Sequence, residues 1–342
     1  MRSALEFSCN PGCEATIPGE VMAILRCSRC GDHLLGRGND LICDRCASIF
    51  GQSDGVFRFV DTQDYARSFG FQWEIYATTQ LDDQHNRRSE EAFRRRTGLG
   101  PDDLAGKLVL DLGCGMGRFA EVATRWGAEV VGVDLSASAA VAARNLAGRT
   151  ATFFQADLFH LPFAAESFDV IYSLGVLHHT PDCAKAFEVL PGLLKPGGRI
   201  AIWLYSAYNP WYRLSDVYRK ITRRMPPGLL HKLCYGVIPL YGVHRILCAV
   251  PLLGRPASGA LAYLIPMSFD RDPQWRVLDT FDWYSPWYQS KHTYEEVFRW
   301  FERCGLEDLR VGEQPISVQG RRPFSASKTS SANRNEANPC VE

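Results

Sequence analysis

The sequence predicts an α/β protein built on a doubly wound parallel sheet, with a small metal-bound module ahead of it and a helical insertion late in the chain. Three observations carry that expectation. Five short apolar stretches between residues 108 and 204 alternate with helix-like segments, the pattern of parallel sheets. The first stretch stops at Gly113, Gly115 and Gly117, glycines at every second position. Two Cys-x-x-Cys pairs, Cys27/Cys30 and Cys43/Cys46, precede the sheet.

Composition sets the bounds. At 342 residues the chain is long enough for one large core plus a smaller module. Lys plus Arg and Asp plus Glu number 38 each, so no global field points to nucleic acid or to an acidic surface. Of the 12 cysteines, those outside the two pairs are scattered, which argues against a disulfide framework and for the reducing cytoplasm. Residues 1–18 carry Glu6 and Glu14 and lack a continuous apolar core, so no secretory signal is expected. No apolar run reaches the roughly 20 residues of a bilayer span.

Residues 1–60 form the N-terminal segment. Cys9 and Cys13 read as free thiols, with a second metal pair as the alternative. Each Cys-x-x-Cys knuckle can point two thiolates at one ion, and Gly31, Gly36, Gly38 and Asn39 suit a hairpin that returns the second knuckle to the first. The expected ion is a structural Zn2+ held by Cys27, Cys30, Cys43 and Cys46, its binding energy standing in for a core too small to fold alone. Residues 61–104 are a linker and a helix. Phe57, Phe59, Tyr65, Phe69, Phe71, Trp73 and Tyr76 crowd this region, either packing a linker onto the main domain or forming a lid over a pocket. Arg87, Arg88, Arg94, Arg95 and Arg96 fall on a helix ending at Gly98, a solvated face or a basic surface for phosphate or RNA.

Residues 105–204 hold the main sheet. Strand 108–112 runs into the glycine corner, where left-handed backbone and absent Cβ atoms admit a ligand. The spacing is not the Gly-x-Gly-x-x-Gly of dinucleotide sites. A helix over 119–126 follows, then strand 129–134, whose last residue, Asp134, can accept hydrogen bonds from ribose hydroxyls beside the first turn. Ser136 or Ser138 caps a helix over 139–146. Strand 151–155 is closed by Ala156 and Asp157, and strand 168–174 leads into a loop with adjacent His178 and His179. A helix over 183–194 stops at Lys195-Pro196-Gly197-Gly198, and strand 199–204 completes the alternation.

Six features stand in sequence: an Asp-x-Gly-x-Gly-x-Gly corner, an acid ending strand two, Ala-Asp after strand three, Phe-Asp-Val-Ile on strand four, a His-His loop, and Leu-Lys-Pro-Gly-Gly before strand five. Together they resemble the class I S-adenosylmethionine-dependent methyltransferases, in particular the subgroup that includes quinone-biosynthesis and other small-molecule enzymes. The resemblance covers about residues 105–205. It implies a Rossmann-like seven-stranded sheet with an antiparallel last strand, and S-adenosyl-L-methionine as cofactor. By position, it implies that Asp111, Gly113, Gly115 and Gly117 hold the methionine end and Asp134 the ribose hydroxyls. Asp157 would accept from the adenine amino group, with Ala156 and Leu158 lining the ring site; Cys114 and Leu135 complete the cofactor-binding set. The cysteine module likewise resembles short zinc ribbons at the N-terminus of some bacterial methyltransferases.

Residues 205–292 are an insertion far longer than a connecting loop. It opens with Tyr205, Tyr208, Asn209, Trp211 and Tyr212, turns cationic at Arg213, Arg219, Lys220, Arg223 and Arg224, and continues as apolar runs broken by Pro239, Pro251, Pro256 and Pro266. Such a segment is a helical cap on the sheet edge or, through 205–270, a peripheral contact with the inner face of the membrane. The aromatic run 278–292 reads as a substrate wall. Thr293 to Glu296 is a capping box for a helix whose apolar face is Val297, Phe298, Trp300, Phe301 and Cys304. Stretches 306–312 and 316–319 would be the last strands of a C-terminal unit, 293–324, and 325–342 a disordered tail.

A sulfonium methyl donor arrives activated, so the protein need only align a nucleophile and take a proton. His178, His179 and His292 are the candidate catalytic bases, with Asp282 and Tyr284 as rivals. The loop after strand four lacks the (Asp/Asn)-Pro-Pro-aromatic sequence with which amino-methylating nucleic-acid enzymes of this fold grip a planar amine. Cys183 is displaced from the place of a pyrimidine-attacking cysteine. The expected function is methyl transfer to an oxygen or carbon of a small acceptor, lipid-like or a glycan precursor. The alternative is an RNA methyltransferase holding RNA with the ribbon and residues 87–96. A third reading, a partner protein with lost activity, is opposed by the complete set of cofactor residues.

Overall fold

The computed structural model describes residues 17–60, 64–209, 212–252 and 254–324; Cys9, Cys13, Trp211, the side chains of Tyr212 and Arg213, and 325–342 lie outside the described residues. The central strands form where apolar runs are bounded by glycines, acids or turns. They are β1 (Leu35–Arg37), β2 (Asp40–Ile42), β3 (Ile49–Ser53), β4 (Val56–Arg58), β5 (Leu108–Leu112), β6 (Glu129–Asp134), β7 (Ala151–Gln155), β8 (Phe168–Leu174), β9 (Leu194–Trp203), β10 (Glu307–Val311) and β11 (Ser317–Arg321).

These join in one sheet, in the order β1-β2-β3-β4-β7-β6-β5-β8-β9-β11-β10. From β4 to β9 neighbouring strands pair in parallel, and β11 runs antiparallel to β9. Central β5 is buried at all five positions, as a strand covered on both faces must be. Strands β5 to β11 are the expected seven, with the antiparallel last strand in place. The sheet is nevertheless eleven strands wide. Phe57 of β4 lies opposite Phe154 of β7 and Arg58 opposite Gln155, so the cysteine module extends the sheet. Pairing there satisfies backbone groups that β7 would otherwise present as a bare edge. Leu25, Leu41 and Phe50 accordingly share one apolar cluster with Phe154, Phe163 and Ile171.

β9 begins earlier than its composition implies. The helix after the His-His loop is Cys183–Glu188, capped by Asp182, and β9 starts at Leu194 with Lys195-Pro196-Gly197-Gly198 inside it. Leu194 lies opposite Phe168 and Arg199 opposite Val170, so the two glycines absorb extra residues in a bulge. A Cβ on Gly198 would meet Lys195 O at 2.9 Å and Asp169 O at 3.0 Å.

Helix Arg88–Thr97 ends at Gly98 in the left-handed region, φ 66°. Its cations are spent inside the molecule. Arg87 and Arg94 reach Glu90 at 3.1 and 3.2 Å, Arg95 reaches Glu313 at 3.2 Å, Arg88 pairs with Asp270, and Arg96 stacks on Trp203. In the insertion, helices Tyr212–Thr222, Pro227–Cys234, Val237–Ala249 and Gly254–Leu264 precede helix Pro273–Tyr284. The last is capped by Asp272, which accepts from the N–H groups of Gln274 and Trp275 at 2.7 and 3.1 Å. Among the described residues no helix is long and apolar enough to cross a membrane.

Candidate functional site

A cavity of about 350 Å³ lies at the carboxyl ends of β5, β6, β7 and β8, where open α/β sheets place their ligands. One end is built from Gly113, Cys114, Gly115, Asp134, Leu135, Ala156 and Leu158; the other from His179, Trp203, Tyr205, Asp279 and Asp282. Tyr65, Phe69 and Trp73 also line it, so the aromatic segment both packs and encloses.

At the glycine corner, Gly113 and Gly115 take φ of 79° and 53°, angles that side chains resist. Asp134 secures the corner from β6. Its Oδ2 accepts from the Gly115 N–H at 3.0 Å, and its Oδ1 from both the N–H and hydroxyl of Ser136 at 2.8 Å. A carboxylate offers about four lone-pair sites, so roughly one, on Oδ2, remains for a ligand hydroxyl. Burial raises the Asp134 pKa, while the Ser136 and Gly115 hydrogen bonds oppose the rise. Asp111, the fourth residue of β5, is 2% exposed and its Oδ2 has no hydrogen-bond partner among the described residues. Burial, reinforced by the neighbouring Asp134 charge, pushes its pKa up to about 8.

Not every cofactor candidate faces the cavity. Asp157 turns its carboxylate onto its own turn, accepting from the Phe159 N–H at 3.1 Å and lying 3.0 Å from His160 Nδ1. Gly117 opens helix Arg118–Arg125, and a Cβ there would strike Leu146 at 2.6 Å. Asp111 sits behind the corner rather than in the lining.

At the far end the adjacent histidines separate. His179 lines the cavity, and its Nδ1 lies 3.0 Å from the Tyr288 carbonyl. A carbonyl only accepts, so Nδ1 carries the proton and Nε2 is left with its lone pair. Burial lowers the His179 pKa, against the opposing pull of Asp282. His178 is fully buried outside the lining, stacked 4.1 Å from Tyr205, and neither ring nitrogen has a partner among the described residues. Its pKa lies well below the usual histidine range, chiefly through burial and then through His179. His292 also lies outside the lining: Nε2 meets Ser290 Oγ at 2.7 Å and Nδ1 lies 3.0 Å from Glu296. Tyr284 donates to the Pro266 carbonyl at 2.6 Å, away from the cavity. Asp282 does line it, accepting from the Tyr205 hydroxyl at 2.8 Å and from Gln72 Nε2 at 3.5 Å. Of the five candidate bases, the structure brings His179 and Asp282 together.

Several lining residues were not among the site candidates. Arg118 directly follows the glycine corner, which was the available signal; it donates to Ser89 Oγ at 2.8 Å. Arg96 stacks 3.8 Å over the Trp203 ring and donates to Gln314 at 2.6 Å. Burial lowers their pKa values to about 9 and about 10 respectively. Gln72 and Tyr205 carried no local signal. Asp279 is pushed up to about 7 by burial and by Asp282.

The four cysteine sulfurs of the N-terminal module all lie within 4.8 Å of one another, with Cys27 to Cys46 at 3.5 Å and Cys30 to Cys43 at 3.4 Å. Tetrahedral zinc at ~2.3 Å from each sulfur needs S···S separations of ~3.8 Å, so the donor set fits that ion with small adjustments.

Residues 110–202 match the family model described as "Methyltransferase domain". The chain is 42% identical over 132 residues to the ubiquinone biosynthesis O-methyltransferase of Nitrosococcus oceani, covering 37% of this chain and 56% of the relative. It is 33% identical over 170 residues to methyltransferase GfsG of Streptomyces halstedii, covering 48% and 58%. It is 31% identical over 208 residues to the chloroplastic tocopherol O-methyltransferase of Arabidopsis thaliana, covering 51% and 58%. The chain thus spans about half the length of the curated relatives it matches. Residues 110–202 are thus similar in sequence to a methyltransferase domain.

Proposed function

We propose that the chain moves the methyl group of S-adenosyl-L-methionine to an oxygen or carbon of a small acceptor, lipid-like or a glycan precursor. The observation that carries this reading is one cavity joining the Gly115–Asp134 corner to the His179 and Asp282 end. S-adenosyl-L-methionine supplies, when bound, an electrophilic methyl group on a sulfonium. Asp134 would accept from a ribose hydroxyl with the Oδ2 lone pair that Gly115 leaves over, while Leu135, Ala156 and Leu158 offer an apolar slot for the purine. Gly113, Cys114 and Gly115, with Asp111 behind them and Gly117 closing the turn, would hold the methionine end.

At the other end, His179 Nε2 or Asp282 would take the proton of an acceptor hydroxyl held in the cavity. Tyr205 holds Asp282 from one side and Gln72 from the other. The names of the Nitrosococcus and Arabidopsis relatives, both O-methyltransferases, support oxygen as the accepting atom and an apolar small molecule as its carrier. The cysteine module would hold a structural zinc ion through four thiolates, which suits the reducing cytoplasm.

The test is incubation with methyl-labelled cofactor and fractionated cell extract. Label should enter the lipid or small-molecule fraction; label in RNA or protein alone would overturn the acceptor class. Asp134→Ala should weaken cofactor binding roughly tenfold or more, the worth of a charge-assisted hydrogen bond. Unchanged affinity would overturn the cofactor assignment.

A further inference from the structure

We infer that the outer face of the insertion docks on an anionic lipid surface. Residues 217–269 contain no Asp or Glu but seven cations: Arg219, Lys220, Arg223, Arg224, Lys232, Arg245 and Arg255. Of the 22 large hydrophobic residues exposed among the described residues, 15 lie in the same stretch. Helix Val237–Ala249 is apolar over most of its circumference, yet Val237 is its one buried residue. Val243, Ile246 and Val250 follow helical spacing along one side, and Leu252 beyond them is 96% exposed. A helix apolar on all sides is stable where something covers it, and the described part of this protein leaves its outer side uncovered.

Charge decides what covers it. Lys220, Arg224, Lys232, Arg245 and Arg255 are exposed and make no ion pair among the described residues, whereas Arg219 is held by Asp216 and Arg223 lies over Trp287. A second copy in two-fold contact would set these cations against one another. Anionic headgroups neutralise them while the apolar side chains enter the acyl boundary. No described helix can cross a bilayer, so the contact stays on its surface. Helices Tyr212–Thr222, Pro227–Cys234 and Val237–Ala249 pack on helix Pro273–Tyr284, which supplies Leu278, Asp279 and Asp282 to the cavity. The docked face is therefore one helix layer from the acceptor end. The inference goes beyond methyl transfer and stands without it.

The experiment is sedimentation of the full chain with vesicles of phosphatidylcholine, alone or mixed with phosphatidylglycerol, at low and high salt. Recovery on the anionic vesicles should exceed that on the neutral ones by about tenfold and fall as salt rises. Ile246→Asp with Leu252→Asp, and separately Lys232→Glu with Arg245→Glu, should each abolish retention while leaving the unfolding midpoint and S-adenosylhomocysteine binding unchanged. Equal recovery on both vesicle types, or variants that sediment like the parent, would overturn the inference. So would light scattering that shows a dimer dispersed by Ile246→Asp, since a second copy would then be the occupant.

Discussion

The Tyr205 hydroxyl donates to Asp282 Oδ2 across 2.8 Å, tying the second residue beyond β9 to helix Pro273–Tyr284 at the His179 end of the cavity. The bond aims a carboxylate that nothing else among its described contacts holds tightly, the Gln72 bond being 3.5 Å long. Tyr205→Phe should therefore slow turnover of the labelled acceptor by about tenfold while leaving cofactor affinity unchanged, the loss of one hydrogen bond to a charged group. If Asp282 is the base, Asp282→Asn should cost about 100-fold or more. Equal, small losses in both variants would remove Asp282 from the chemistry.

The two histidines make opposite predictions. His179 has its Nδ1 fixed by Tyr288 and its Nε2 free, so His179→Ala should lower turnover by about 100-fold or more if Nε2 takes the proton. Its pKa is lowered by burial, so the base form persists below the usual histidine range and the acid limb of the rate profile should fall below about pH 6.5. His178 is buried, neutral and without a hydrogen-bond partner among the described residues, and an apolar ring of similar shape leaves no donor stranded. His178→Phe should keep turnover within about threefold. The depressed pKa of His178 also means that the unfolded chain takes up a proton that the folded one refuses as pH falls below about 6.5. Stability present above that pH is lost below it, and His178→Phe should flatten the loss in a thermal series. A wild-type slope in the variant would place the proton elsewhere.

These contrasts show what the sequence could and could not tell. The expected strands 108–112, 129–134, 151–155 and 168–174 coincide with β5 to β8, because each is an apolar run bounded by glycine or an acid. The start of β9 was hidden: Lys-Pro-Gly-Gly stops a helix and also makes a bulge, and only the pairing of Leu194 with Phe168 decides between them. Side-chain direction was hidden as well. His178 and His179 are neighbours of one type, yet one points into the core and the other into the cavity. Asp157 has the right position and turns to its own backbone. Tyr205 and Asp282 meet across 77 residues, a distance no local pattern reports.

Asp111 gives a prediction about pH. Its folded pKa is about 8 against an ordinary 3.8, so between about pH 4 and pH 8 the folded state holds a proton that the unfolded state has released. The stabilisation is complete below about pH 4 and lost as pH rises through about 8. Asp111→Asn keeps the shape without the charge. It should raise the unfolding midpoint at pH 8, by roughly 2–4 °C for each kcal/mol relieved. If the buried carboxylate serves the cationic methionine end of the cofactor, the same variant should bind it more weakly, a gain in stability set against function. A variant unchanged in midpoint across the pH series would mean that the carboxyl group is not held protonated by its surroundings.

Metal removal should act beyond the cysteines themselves. The sulfurs of Cys27, Cys30, Cys43 and Cys46 converge within 4.8 Å, and the strands they anchor reach the main sheet through β4 against β7. The helix Gly19–Ile24 adds Val21 to the same apolar cluster as Phe154. Without an ion to hold the knuckles, a module this small cannot keep its own core, and its binding energy is its folding energy. Chelation or Cys27→Ser should therefore abolish hydrogen-exchange protection over residues 20–58, including the β4 amides that pair with β7, while β5, β6 and β8 stay protected. The freed β7 edge should also make the protein prone to self-association. Elemental analysis of the purified protein should find one zinc per chain. Metal-free protein with a fully protected β4 would show that apolar packing alone holds the ribbon to the sheet.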